Sequence, residues 1–453
     1  MSEQGGPFDT RRAGVLLHVT SLPGDGDLGD EAYRFVDFLA EAGFSVWQVL
    51  PLVPTHHDDG SPYNAPSSMA GNPDLISESH REVPDDASLT VWCAQQDTWL
   101  EPYVEYTALR ELHGTPWRTW EPALRDREPR AVADALAPCA ERVQELRLDQ
   151  WVFAQQWHRL REYAAEKGVL LFGDVPIFVS LDSADVWAHR ELFELDEDGR
   201  PITVTGCPPD YFAKDGQRWN NPHYDWKAMA ADEYAWWRRR IARQRELFDL
   251  VRIDHFRGFE AAWHVPVEAP TARDGSWVKG PGEEILAALV EAAGPGTLVA
   301  EDLGVITPAV DRLRTRFGLP GMKVLQFAFD GSLDNPYLPA NHGELNVVYT
   351  GTHDNDTTAG WWGSIDERTR SQVASHLIDP AEAMPGALIR LAMVSTARLA
   401  VVPAQDLLAL GSESRMNTPG TDVGNWAWQA PDGAFDDELA AQLRDMVLQA
   451  ART

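Results

Sequence analysis

Positive charge is scarce in this chain. Lysine and arginine together number 39 against 70 aspartates and glutamates, and lysine is confined to Lys167, Lys214, Lys227, Lys279 and Lys323. A formal net charge of −31 repels polyanions, which excludes nucleic acid and anionic membrane surfaces as partners and leaves a neutral substrate as the natural complement. Cysteine is scarcer still. Cys93, Cys139 and Cys207 are widely spaced and odd in number, so they form neither a disulfide nor a metal framework and fit a reduced cytoplasm. Long apolar runs are missing: the stretch from Gly168 to Leu181 is broken by Gly173, Asp174 and Pro176, whereas a membrane helix needs roughly 20 uninterrupted residues. No basic start followed by an apolar stretch occurs, so a secretory signal is not expected and a soluble cytoplasmic protein is. Dinucleotide fingerprints and P-loops are absent as well, and no cofactor is expected.

What the chain does have is tryptophan, 18 residues of it. Indoles anchor cores, and they also stack on the apolar faces of sugar rings; so many together favour a sugar-binding reading for the set. The apolar pattern alternates between two periods. Helical patterns over Glu31–Ala42, Gln150–Glu166, Glu233–Phe248 and Glu283–Ala293 are followed by short apolar runs at Phe44–Leu50, Val169–Phe172, Leu250–Ile253 and Thr297–Ala300, with another run at Leu345–Thr350. Gly43, Gly168 and Gly294 stand as helix stops between them. Helices alternating with buried strands predict a parallel sheet, and at this length a closed α/β barrel with inserted subdomains between strands. We expect a single catalytic unit over 1–453, with an active-site loop at 52–80, a helical insertion at 85–148 and a second active-site loop at 195–226, the two loops being rich in Gly, Pro and polar residues and lacking periodicity.

Chemistry is concentrated where those strands end. Asp174 follows one, Asp254 a second, Glu301 and Asp302 a third, and His353 and Asp354 a fourth. A single acid there reads equally well as a helix cap, but four recurrences match the face on which barrel enzymes carry their catalytic groups. Several carboxylates around one cavity suit glycosidic bond cleavage. A retaining mechanism needs an ionised nucleophile and a protonated acid about 5–5.5 Å apart, the acid being kept protonated by burial or by neighbouring negative charge. Arg252 stands two residues before Asp254, so on a strand both point the same way and the guanidinium keeps Asp254 ionised. That assigns Asp254 as nucleophile and Glu301 as acid/base. His56, His57, Asp58 and Asp59 read as a solvated loop, and no metal site is expected.

The segments VRIDHFRGF (251–259), VAEDLG (299–304) and YTGTHDNDT (349–357) resemble the signature regions of the α-amylase clan. Together with GVLLHVTSLPG (14–24), WQVLPL (47–52), SPYNAPSSMAGNP (61–73), FGDVPIFV (172–179) and RMNTPGT (415–421), their wording is similar to glycoside hydrolase family 77, the amylomaltases or 4-α-glucanotransferases. The resemblance covers nearly the whole chain and departs from the family at Val19, where Pro is commoner, and at a short DGDLGD loop (25–30). It implies a (β/α)8 TIM barrel with Asp254 as nucleophile, Glu301 as acid/base and Asp354 as the acid that stabilises the transition state. It further implies that Arg252 and His353 contact the donor sugar, that Tyr63 stacks beneath it and that Asp174 supports the same region. DYFAKDGQRWNNPHYDW (210–226) resembles the family's active-site loop, which implies an acceptor side lined by Asp210, Gln217 and Trp219, with Asn417 approaching from the C-terminal segment. The expected partners are α-1,4-glucans and maltooligosaccharides. Two rivals remain open on sequence: an α-glucan hydrolase using the same three acids, and a glycan-binding protein on an inactive barrel, against which the intact acid set speaks.

Overall fold

Twelve short segments of extended chain form in the computed structural model, which describes residues 6–56, 60–209, 214–421 and 423–452. In chain order they are β1 Arg12–Leu16, β2 Val46–Gln48, β3 Leu170–Pro176, β4 Thr203–Cys207, β5 Gln217–Pro222, β6 Leu250–Asp254, β7 Ala261–Pro266, β8 Ser276–Lys279, β9 Leu298–Ala300, β10 Gly321–Val324, β11 Asn346–Tyr349 and β12 Leu399–Pro403. Eight of them close into a parallel barrel in the order β1, β2, β3, β6, β9, β10, β11, β12 and back to β1. The other four make an antiparallel sheet, β5-β4-β7-β8, inserted between barrel strands.

Alternation along each strand divides the core in two. Phe172, Leu250, Val299, Met322, Val347, Leu399 and Val401 pack inside the barrel, while Leu171, Val251, Ile253, Val348, Ala400 and Val402 face the surrounding helices. Those helices include Asp30–Glu41, Ala140–Glu166, Ala235–Leu247, Glu283–Ala293, Pro308–Arg316, Gly386–Val394 and Asp437–Gln449. The stop glycines act as the sequence predicts: Gly43 and Gly168 take φ of 79° and 78°, a left-handed turn that costs glycine little.

Three barrel strands, β1, β10 and β12, had no counterpart among the strands expected from sequence. The helix at 140–166 begins ten residues before its expected start. Between β2 and β3 the chain also holds a long helix, Asp86–His113, capped by the Asp85 side chain and ended by left-handed Gly114. Within 195–226, expected to be an aperiodic loop, the structure places β4 and β5. The polar β5 hides its period because Asn220 has φ of 64° and the register with β4 shifts there.

The first and last barrel strands pair in register, Arg12 against Leu399 through Leu16 against Pro403. Arg452, 1% exposed, latches this seam. Its guanidinium donates to the carbonyls of Met393 at 2.7 Å, Arg12 and Ser395 at 2.8 Å, and Ala397 at 2.9 Å. Among the described residues no helix is long and apolar enough to cross a membrane.

Candidate active site

Strand parity builds the site. Leu250 points into the barrel, so Arg252 and Asp254, two and four residues on, share its side. Phe172 does the same on β3 and brings Asp174 inward, and the register pairs Asp174 with Arg252. Arg252 is buried and bridges two carboxylates: Nη1 donates to Asp174 Oδ2 at 2.5 Å and Nη2 to Asp254 Oδ1 at 2.6 Å. Burial works against its charge, but Asp174 and Asp254 outweigh that and hold the guanidinium well above its ordinary value. Burial pushes the Asp174 carboxyl up, opposed by Arg252.

From the loop after β2, the Tyr63 hydroxyl donates to Asp174 Oδ2 at 2.8 Å. The Tyr63 ring stacks on His353, with centroids 5.2 Å apart and planes 13° from parallel. His353 and Asp354 follow β11, and His353 Nε2 lies 3.4 Å from Asp354 Oδ1. The same carboxylate oxygen accepts from Asn417 Nδ2 at 2.6 Å, and the Asn417 backbone N–H donates to the His353 carbonyl at 3.1 Å.

Glu301, immediately after β9, is 9% exposed. Its Oε2 accepts the backbone N–H of His255 and its Oε1 that of Leu303, each at 2.7 Å. Burial and then the negative charge of Asp254 push this carboxyl up to about 8, against the pull of Arg252. The group therefore keeps its proton at neutral pH. His255 reaches it by adopting a left-handed φ of 51°, and the His255 imidazole packs edge-on against Trp219 at 4.8 Å. Trp219 Nε1 in turn donates to Gln217 Oε1 at 3.1 Å. Asp210 and Tyr211 lie outside the described residues, as do His57, Asp58 and Asp59. Among the described residues no cluster of three or more His, Cys, Asp or Glu is placed to hold a metal ion.

Residues 17–83 and 77–434 match glycoside hydrolase family 77, described as 4-α-glucanotransferase. The chain belongs to that family. It is 46% identical to the 4-α-glucanotransferase of Thermus thermophilus, over 96% of this chain and 98% of that one. It is 42% identical to the Synechocystis enzyme of the same description, over 96% and 97%. The structure of amylomaltase from Streptococcus agalactiae in complex with acarbose superposes with a TM-score of 0.92 at 33% identity, covering 98% of this chain and 99% of that one. The protein is thus an enzyme, a 4-α-glucanotransferase acting on α-1,4-glucans.

In this 4-α-glucanotransferase the residues singled out from sequence that the structure describes converge on one site. Tyr63, Asp174, Arg252, Asp254, His353, Asp354 and Asn417 form a single bonded and stacked cluster. Glu301 joins it through the His255 N–H and the field of Asp254, and Gln217 and Trp219 join through the His255 ring. Sequence reasoning missed two others. Trp426 completes an aromatic wall, 5.7 Å from the Tyr63 ring and 5.9 Å from that of His353. Arg415 Nη2 donates to the Asp354 carbonyl at 2.7 Å; it opens the RMNTPGT motif, which was the available signal.

Proposed function

We propose that this enzyme transfers α-1,4-glucan segments from a donor maltooligosaccharide to the 4-hydroxyl of an acceptor glucose or glucan by a retaining double displacement. Asp254 attacks the anomeric carbon while Glu301 protonates the departing oxygen, leaving a covalent glucosyl-Asp254 and a free reducing-side fragment. The observation that carries this reading is the pairing of a buried Glu301, held protonated, with an Asp254 that accepts from Arg252. The same pairing explains the second half. Once Asp254 is esterified its negative charge is gone, the push on Glu301 weakens, and Glu301 gives up its proton more readily, ready to take one from the incoming sugar hydroxyl.

Asp354, oriented by Asn417 and His353, binds donor hydroxyls and stabilises the transition state, and Tyr63 lies against the donor ring. Asp174 holds Arg252 in place. Gln217 and Trp219, with Asp210, line the acceptor side, and aromatic walls there favour a sugar over water. The single catalytic unit is assigned as 1–453, with 52–80 as a loop and 195–226, which holds β4 and β5, as an insertion serving the cleft, and 85–148 as a helical insertion. A cytoplasmic setting is supported by the few, widely spaced cysteines Cys93, Cys139 and Cys207.

Incubation with maltotriose tests the reading. Glucose together with a ladder of longer maltooligosaccharides, and a constant reducing-end count, is the expected result. A rising reducing-end count would instead establish hydrolysis. Asp254→Asn and Glu301→Gln should each lower transfer by about a thousandfold or more with the fold intact; near-normal turnover in either would overturn the assignment.

A further inference from the structure

The most exposed tryptophan among the described residues lies outside the cleft. Trp277 is 40% exposed and belongs to β8, the edge of the inserted sheet, every residue of which is exposed. An exposed indole on an open sheet edge invites aggregation, so its presence calls for an occupant.

The ring is held firmly. It pairs across the sheet with Trp263, centroids 5.1 Å apart at 64°, and the Arg257 guanidinium lies 3.7 Å from its centroid. Arg257 is 6% exposed, and among the described residues it makes no ion pair; its cation is spent on the indole face. Arg257 also ties this platform to the cleft. Its Nη1 donates to the Val305 carbonyl, in the exposed loop whose Leu303 N–H holds Glu301. Glu301 itself lies within electrostatic reach of Arg257. Trp277 is thus tied through Arg257 to the loop that holds the acid/base.

We propose that Trp277, braced by Arg257 and Trp263, is a remote platform for the α-1,4-glucan chain being extended, and that it sets the preference for long acceptors. The inference rests on the transfer reading above. A strongly acidic surface disfavours a polyanionic occupant, whereas a neutral glucan presents apolar ring faces that suit an indole. A ring immobilised in advance loses little conformational entropy on binding. The established substrate is also a polymer, so a chain engaged at the acids has further sugars to offer an indole tied to the Glu301 loop.

The experiment compares wild type, Trp277→Ala and Trp277→Phe in two assays, maltotriose disproportionation and transfer to amylose. The Trp277→Ala enzyme should retain its maltotriose rate within about twofold while its KM for amylose rises about five- to tenfold, the loss of one aromatic stacking contact. Trp277→Phe should recover part of the amylose effect. An unchanged amylose KM overturns the proposal, as does an equal loss in both assays, which would mark Trp277 as structural. A change of oligomeric state in Trp277→Ala, read by light scattering without an amylose effect, would make the strand a self-association edge and also overturn it. Failure of the transfer reading is seen separately, in the wild-type maltotriose products.

Discussion

Glu301 concentrates the pH behaviour of the site in one side chain. In the unfolded chain it ionises near 4.5, whereas in the fold burial and Asp254 raise it to about 8. Between those values the folded protein holds a proton that the unfolded chain has released. Stability from this group is therefore complete below about 4.5 and falls as pH rises to about 8, by on the order of a few kcal/mol in all. Glu301→Gln should remove that slope and leave the variant more stable than wild type above pH 8, which urea titrations across the range would read directly. The same proton is needed for leaving-group departure, so transfer by the wild type should decline on an alkaline limb centred near 8. A limb unmoved by Asp254→Asn residual activity measurements, or lying well below 7, would disconnect the observed pH profile from this carboxyl. Parity made much of the residue scale legible: Arg252 and Asp254 at i and i+2 on a strand could be placed on one side before any coordinates. Trp426 could not, because it meets Tyr63 and His353 only when a remote segment of chain is folded over them.

Elements fix where these groups can sit, and β3 shows how narrowly. Gly173 precedes Asp174, and a Cβ placed on it would lie 2.2 Å from Phe248 Cδ2. Phe248 has nowhere to retreat: it is 1% exposed and meets Trp157 edge-on at 5.6 Å, and Trp157 Nε1 is tied to the Leu247 carbonyl at 2.9 Å. Gly173→Ala should cost about 1–3 kcal/mol of stability. Because the displaced backbone carries Asp174 and through it Arg252, transfer should fall as well, seen as a reduced kcat in enzyme that still shows a cooperative thermal transition. Elements with a clear period were readable from sequence, as the helix at 283–293 illustrates. The polar, bulged β5 carries no apolar period, and only its neighbours in the sheet determine its conformation.

For the whole molecule, closure is the decisive event. The barrel could be anticipated from alternating helices and strands, but the β1–β12 seam depends on residues nearly the full chain length apart, which local pattern cannot register. Arg452 supplies four of the hydrogen bonds described across it, all to main-chain carbonyls. Replacing it by Met removes those donors while keeping most of the side-chain volume, and should cost about 3 kcal/mol or more. A lower midpoint of chemical unfolding with unaltered kinetics in the surviving folded fraction is the expected signature; a neutral effect would show that the carbonyls find other donors.

That latch also bears on how the protein is born. A ribosome releases β1 long before Arg452, so the strand that must receive the closing contact waits through the synthesis of the other barrel strands. Until then β1 has β2 beside it but lacks its other neighbour, and the acids on β6, β9 and β11 have no sealed barrel beneath them. Nascent chains stalled short of the last helix should accordingly be inactive and prone to capture by chaperones, with activity gained in a single step on release.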